Sequence, residues 1–269
     1  MGPFALDLLQ NAYLVANLGA FAFLVVLEGG RDALIAIPDR RRHVLRNLGL
    51  FALVLIVADG VVGGWWLGVT ALLTASNGLL TPLDLSPAAQ FAVGFVLVDC
   101  VDYFFHRLMH RWRWLWLLHA VHHSDPHLDA STAVRFHPVE VSIEVAFKVA
   151  LLLALGIPLW VEGARAVVLN PIAFFQHANI AWPAGFERAI GWLVQTPSMH
   201  RVHHSPVPRE TNSNFGAVFS FWDRLFGTYL RPSGPRPAAF GLAKLTADRW
   251  QTVAGMLSTP LRARRLGQI

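Results

Sequence analysis

The chain has little cysteine and little charge. A single cysteine, Cys100, in 269 residues excludes an internal disulfide and any cysteine-ligated zinc or iron–sulfur centre. Charged residues make up 14% and hydrophobic residues 54% of the chain, whereas an ordinary soluble domain is charged at about a quarter of its positions. That balance indicates an integral membrane protein. No GxGxxG or P-loop pattern occurs, and no repeat or low-complexity tract breaks the chain, so a fused nucleotide-binding module is not expected. The net charge of +5 is read as arginines facing anionic lipid, not as a nucleic-acid surface.

Apolar runs supply the architecture. A bilayer core needs about 20 apolar residues per helix. Three stretches meet or nearly meet that length, 6–27, 44–67 and 88–105, and two more polar ones, 139–160 and 164–180, form a further pair or a re-entrant hairpin. The fold expected is all-α: a multi-pass transmembrane bundle of about four to five membrane helices in one domain over 1–269. The start, MGPFALDLLQ, has no basic n-region, so the first run is read as a retained span. The first loop carries Arg31, Arg40, Arg41, Arg42 and Arg46 and the loop over 68–87 carries no Lys or Arg, which places the first loop in the cytoplasm. The third span then runs inward and delivers a histidine-rich cap to the cytoplasmic face of a bacterial inner membrane, or of the endoplasmic reticulum in a eukaryote.

Eleven of the twelve histidines lie between His106 and His204, and eight form three groups: His106/His110, His119/His122/His123 and His200/His203/His204. Residues three and four apart share a helix face, so each group projects its imidazoles together. Converging neutral imidazoles bind metal, and eight exceed what one ion holds. Two ions are expected. His43, in an arginine run, and His127, after Pro126, are read as satisfied or solvated side chains.

The blocks DYFFHRLMH, LWLLHAVHHSD, STAVRFHP, FQHANI, TPSMHRVHHS, ETNSNFG and FWDRLFGTY, in that order, resemble the fatty acid hydroxylase or sterol desaturase superfamily of membrane di-iron enzymes. The resemblance covers about 88–230. It implies a membrane anchor with a cytosolic histidine cap, O2-dependent hydroxylation or desaturation of a lipid, and electrons from a separate carrier. Carried over block by block, the metal ligands would be His106, His110, His119, His122, His123, His200, His203 and His204, joined by His137 and His177.

Attack on an unactivated C–H bond requires an oxidant stronger than any side chain, and non-haem iron supplies one with O2 as co-substrate. The expected function is therefore a di-iron oxygenase acting on an acyl, sterol or isoprenoid chain, with zinc able to substitute on expression. The chain cannot store the electrons, so a ferredoxin or cytochrome b5 type donor with its reductase is expected, docking near Arg188, Arg201, Arg209 and Arg224. Asp102, one turn before His106, could accept from its free ring nitrogen or pair with Arg107, and Asp99 lies one turn further back on nearly the same face. Asn179, Asn212 and Asn214 are candidates to hold a metal-bound water. Asp59, Glu140, Glu144 and Lys148 are costly charges within apolar runs, and Glu144 with Lys148 reads as an i,i+4 ion pair. Trp112, Trp114 and Trp116 are interfacial anchors or the wall of a substrate slot. A zinc hydrolase would want a general base near the metal, and no HExxH pattern occurs; a metal transporter would place its histidines within the spans.

Overall fold

The computed structural model describes residues 3–30, 33–75, 77–232 and 239–265, the helical residues 3–7 and 58–75 by backbone alone. Asp59 and the end of the second expected span, 58–67, thus fall where side chains are outside the description. Among the described residues the protein is all-helical, with isolated bridges and no strand. The long helices are α1 (Pro3–Glu28), α2 (Arg40–Ala75), α3 (Pro87–Arg111), α4 (Arg113–His123), α5 (Pro138–Leu155) and α6 (Leu159–His177). Short ones follow: α7 (Ala184–Ile190), α8 (Pro197–His203), α9 (Pro208–Thr211), α10 (Phe221–Leu225), α11 (Val253–Leu257) and α12 (Thr259–Arg265).

Two stretches of described helix, Leu8–Glu28 and Pro87–Arg111, are long and apolar enough to cross a membrane. Val15, Leu18, Phe23 and Val26 of α1 are exposed, so this helix presents an apolar outer face. Helices α5 and α6 have 18 and 19 residues; α5 carries Glu140, Glu144 and Lys148, and α6 carries Glu162 and Arg165, with Pro171 inside it. Gly156 ends α5 in the left-handed conformation, φ 69°, which glycine adopts without a Cβ clash. A side chain there would meet Thr81 and the backbone of Gly78.

Helix α6 packs on α1, α3 and α8, α5 on α2, and α12 on α4. Leu24, Phe174, Ala178 and Ile180 join α1 to α6, and Val98, Leu152 and Val161 join α3, α5 and α6. Leu50, Val121 and Met256 tie α2 and α11 to α4. Charges inside the bundle are paired. Asp102 meets Arg165 at 2.9 Å and Lys148 at 3.3 Å, and Lys148 meets Glu144 at 2.8 Å. Burial of this kind is tolerable only with such partners. The Glu144–Lys148 pair thus forms as its spacing predicts, while Asp102 turns to α5 and α6 and not to Arg107.

Candidate metal centre

The histidines arrive from four helices. α3 supplies His106 and His110, α4 supplies His119, His122 and His123, α6 ends on His177, and α8 with the residue after it supplies His200, His203 and His204. They divide into two groups whose ligand atoms lie within 4.8 Å of one another: His106, His110, His119, His123 and His203 in the first, and His122, His177, His200 and His204 in the second. The two HxxHH blocks are used in opposite senses. In α4 the i,i+4 pair His119 and His123 faces the first group and His122 the second; in α8 the pair His200 and His204 faces the second and His203 the first. Each short helix therefore feeds both groups, which abut where the His123 and His204 rings stack 4.6 Å apart.

The nitrogens are set for a cation. In the first group all five Nε2 atoms are buried without a hydrogen-bond partner. In the second they crowd one another: His122 and His177 at 3.2 Å, His177 and His200 at 2.9 Å, His200 and His204 at 3.1 Å. A proton satisfies one such pair, whereas a cation at the centre satisfies all four. Metal–nitrogen bonds of about 2.1 Å at right angles leave nitrogen–nitrogen edges of about 3.0 Å, which these spacings match. The donors are imidazoles throughout, a set suited to iron, zinc, copper and nickel.

The other ring nitrogens are held from behind. His119 Nδ1 donates to Glu140 Oε1 at 2.6 Å, His106 Nδ1 to the Phe215 carbonyl at 3.0 Å, His203 Nδ1 to the Ser213 carbonyl at 2.8 Å and His177 Nδ1 to the Ala173 carbonyl at 2.7 Å. Each bond fixes the tautomer that leaves Nε2 as a lone pair. Burial, reinforced by neighbouring imidazoles, holds His122, His123, His200, His203 and His204 well below the ordinary histidine pKa. Burial lowers His119 to about 3. The rings are thus neutral, as ligation demands. Phe136 stacks on His122 at 4.7 Å, Phe215 covers His106, His110 and His203, and Trp116 lies 4.9 Å from His110. These rings exclude water. Of the three tryptophans, Trp116 walls the centre and Trp112 and Trp114 are exposed.

Several expected roles fall elsewhere. His137 stands outside both groups: its Nδ1 accepts from the Val139 amide at 3.2 Å and caps α5. Asp102 is not the acceptor for His106, since the Phe215 carbonyl takes that bond. Asn179 holds no place at the centre: its amide brackets Ile35, accepting from its N–H at 3.0 Å and donating to its carbonyl at 2.7 Å. Asn214, in the left-handed region at φ 53°, pins Met199 and Leu230, and Asn212 bonds the Pro208 carbonyl. Arg201 is buried, bonded to the Ala178 carbonyl and Glu187. It offers nothing to a docking carrier. Arg188 and Arg209 are exposed, and Arg224 lies over the Trp192 and Tyr229 rings.

Other residues escaped the sequence reading. Arg135, fully buried, donates to the Val121 carbonyl, Asn47, Ser124 and Gln251, and so braces the end of α4 that carries His122 and His123. His43 is satisfied rather than solvated, buried between Asp125 at 2.9 Å and Asp129 at 3.2 Å. Burial opposes its protonation, but the two carboxylates prevail and raise it to about 10. Glu28 accepts from the Ala130 and Asn179 amides and pairs with Arg40, fastening the end of α1 to the cap.

The fatty acid hydroxylase family model matches residues 91–228, and with it all nine clustered histidines. The chain belongs to that family. It is 35% identical over 152 residues to the ornithine lipid hydroxylase OlsE of Rhizobium tropici, a match covering 56% of this chain and 44% of that protein. It is 33% identical over 137 residues to the alkylglycerol monooxygenase of Danio rerio, covering 51% and 30%, and 27% identical over 157 residues to the sphingolipid C4-hydroxylase sur2 of Schizosaccharomyces pombe, covering 56% and 51%. The chain thus spans about half or less of the length of these relatives. No solved structure matches it.

Proposed function

We propose that this protein is a membrane-bound di-iron oxygenase that hydroxylates a lipid, with desaturation as the divergent outcome of the same hydrogen abstraction. The observation that carries the reading is the pair of carboxylate-free imidazole groups at one end of α3, a helix long and apolar enough to cross a membrane. Iron bound there would supply the activation of O2 that no side chain provides. The first group would hold one ion and the second the other. Glu140 and the three carbonyls keep the protons of His119, His106, His203 and His177 on Nδ1, while Phe136, Phe215 and Trp116 keep the centre dry. The absence of any carboxylate in either group weighs against a zinc hydrolase, which needs a base at the metal.

The relatives named above are an ornithine lipid hydroxylase, an alkylglycerol monooxygenase and a sphingolipid hydroxylase, and a lipid chain entering from the bilayer is the substrate class inferred here. Electrons come from a ferredoxin or cytochrome b5 type partner, docking on the exposed side with Arg188 and Arg209 among its contacts and losing rate as salt screens the encounter. The cap faces the cytoplasm, by the arginines of the first loop. The test is lipid analysis of cells with and without the chain under 18O2, with a reductase and carrier co-expressed. A lipid heavier by one labelled oxygen, or lighter by two hydrogens, is expected. No oxygen-dependent lipid difference with a competent reductase would refute the reading.

A further inference from the structure

The segment over 215–226 runs alongside the middle of α3. Its anchor is Asp99, buried, which accepts from the Val218 amide at 3.0 Å, the Phe219 amide at 3.1 Å and the Trp222 indole at 2.9 Å. Asp99 is the middle residue of α3, twelve from each end of Pro87–Arg111. At 1.5 Å per residue that helix is about 37 Å long, against a hydrocarbon core of about 30 Å. Its midpoint lies about 18 Å from either end, so even a helix protruding wholly on one side keeps Asp99 about 10 Å inside hydrocarbon. Phe219 packs deeper still, 5.6 Å from Phe95.

Irregular backbone at that depth needs its polar groups satisfied by protein, and this is what the structure provides. Asp99 takes two amides of the turn, the Gln195 amide bonds the Val218 carbonyl, and the Ser220 amide bonds the Leu193 carbonyl. The outer surface is apolar. Trp192 is 70% exposed, Leu193 55% and Leu225 66%. This surface continues the exposed face of α3, because Phe226 lies 4.7 Å from Phe104, which is itself exposed. Arg224 folds back over the Trp192 and Tyr229 rings and donates to the Gly191 and Ser220 carbonyls, so its charge is spent inside the element.

We propose that the loops over 191–195 and 215–226 form a re-entrant element that dips into the bilayer beside α3, with Trp192, Leu193 and Leu225 in contact with lipid chains. The occupant of this surface is the membrane itself. The proposal rests on the membrane reading of the chain, with α1 and α3 as spans. It brings the metal centre's own supports into the leaflet, since the Phe215 carbonyl that holds His106 belongs to the inserted segment.

The test uses the full chain with Cys100→Ser in phosphatidylcholine–phosphatidylglycerol vesicles, carrying one added cysteine at a time labelled with an environment-sensitive fluorophore. Trp192→Cys and Leu225→Cys are the probes, Val15→Cys on α1 is the lipid control and Arg209→Cys the aqueous control; retained metal content shows that each variant is folded. Lipid-borne quenchers should act several-fold more strongly than aqueous iodide at positions 192, 225 and 15, with the reverse at 209. Iodide quenching at 192 and 225 with lipid quenching at 15 would overturn the inference and leave the membrane reading standing. Shielding of 192 and 225 from both quenchers would show a protein partner or a second copy covering the surface, and would also overturn it. Loss of lipid quenching at 15 would instead sink the membrane reading on which it rests.

Discussion

Replacing Glu140 by alanine should weaken one metal position and spare the other. Its carboxylate accepts from His119 Nδ1 at 2.6 Å, and both side chains are buried. Removal leaves an N–H with no acceptor, a cost of about 1–3 kcal/mol, and frees the imidazole to rotate or change tautomer. Loss of such a partner behind a ligand typically lowers metal affinity about 10- to 100-fold, or about 1.4–2.8 kcal/mol. His119 belongs to the five-histidine group alone, so the loss should fall on one ion. Competition with a coloured chelator measures both affinities in Co(II)-loaded protein. Wild type should release two ions over a similar chelator range, and Glu140→Ala should release one of them 10- to 100-fold earlier. Glu140→Gln keeps an acceptor oxygen without the charge and should shift that ion by less. Two unshifted affinities in Glu140→Ala would refute the claim that the carboxylate orients a ligand.

Other outcomes follow from the same contacts. His203→Ala and His200→Ala should each lower bound metal and abolish turnover, whereas His137→Ala should keep the metal and lose about 1 kcal/mol of stability with its cap, as elemental analysis and thermal melts would show. Asp102→Asn should destabilise the protein by about 3 kcal/mol, because Arg165 and Lys148 lose a buried partner, while the chelator profile stays as in wild type; a selective loss of metal would restore Asp102 to the centre. The raised pKa of His43 means that its contribution is complete below about 6.5 and is lost as pH rises through about 10. Melting temperature should therefore fall across that alkaline range, and His43→Gln should flatten this limb; an unchanged limb would show that the ion pairs do not stabilise the fold.

Helical periodicity made the histidine groups legible, because spacings of three and four fix which side chains share a face whatever the tertiary fold. It could not assign them to two ions. That division depends on how α4 and α8 face each other, and the opposed use of the two HxxHH blocks is a property of that packing alone. His177 has no helical partner, and only the resemblance pointed to it. His137 shares that isolation, but it precedes Pro138 and turns outward to cap a helix. Asp102 lies one turn from His106 as periodicity requires, yet two cations across the bundle claim it, since an ion pair in an apolar interior outweighs a hydrogen bond to a neutral ring. Glu140 stood out as a charge in an apolar run without revealing its partner 21 residues away. Arg135 and Glu28 gave no signal beyond charge beside apolar sequence, because their backbone and side-chain partners are distant in sequence.

The central claim, that nine imidazoles hold two irons, is tested most directly by iron quantification with X-ray absorption at the iron edge. The protein should be purified in lipid from iron-replete cells with zinc excluded. About two irons per chain in nitrogen-dominated shells are predicted, with the shell counts falling on His203→Ala and His200→Ala. One iron per chain, or shells dominated by carboxylate oxygen, would contradict the account.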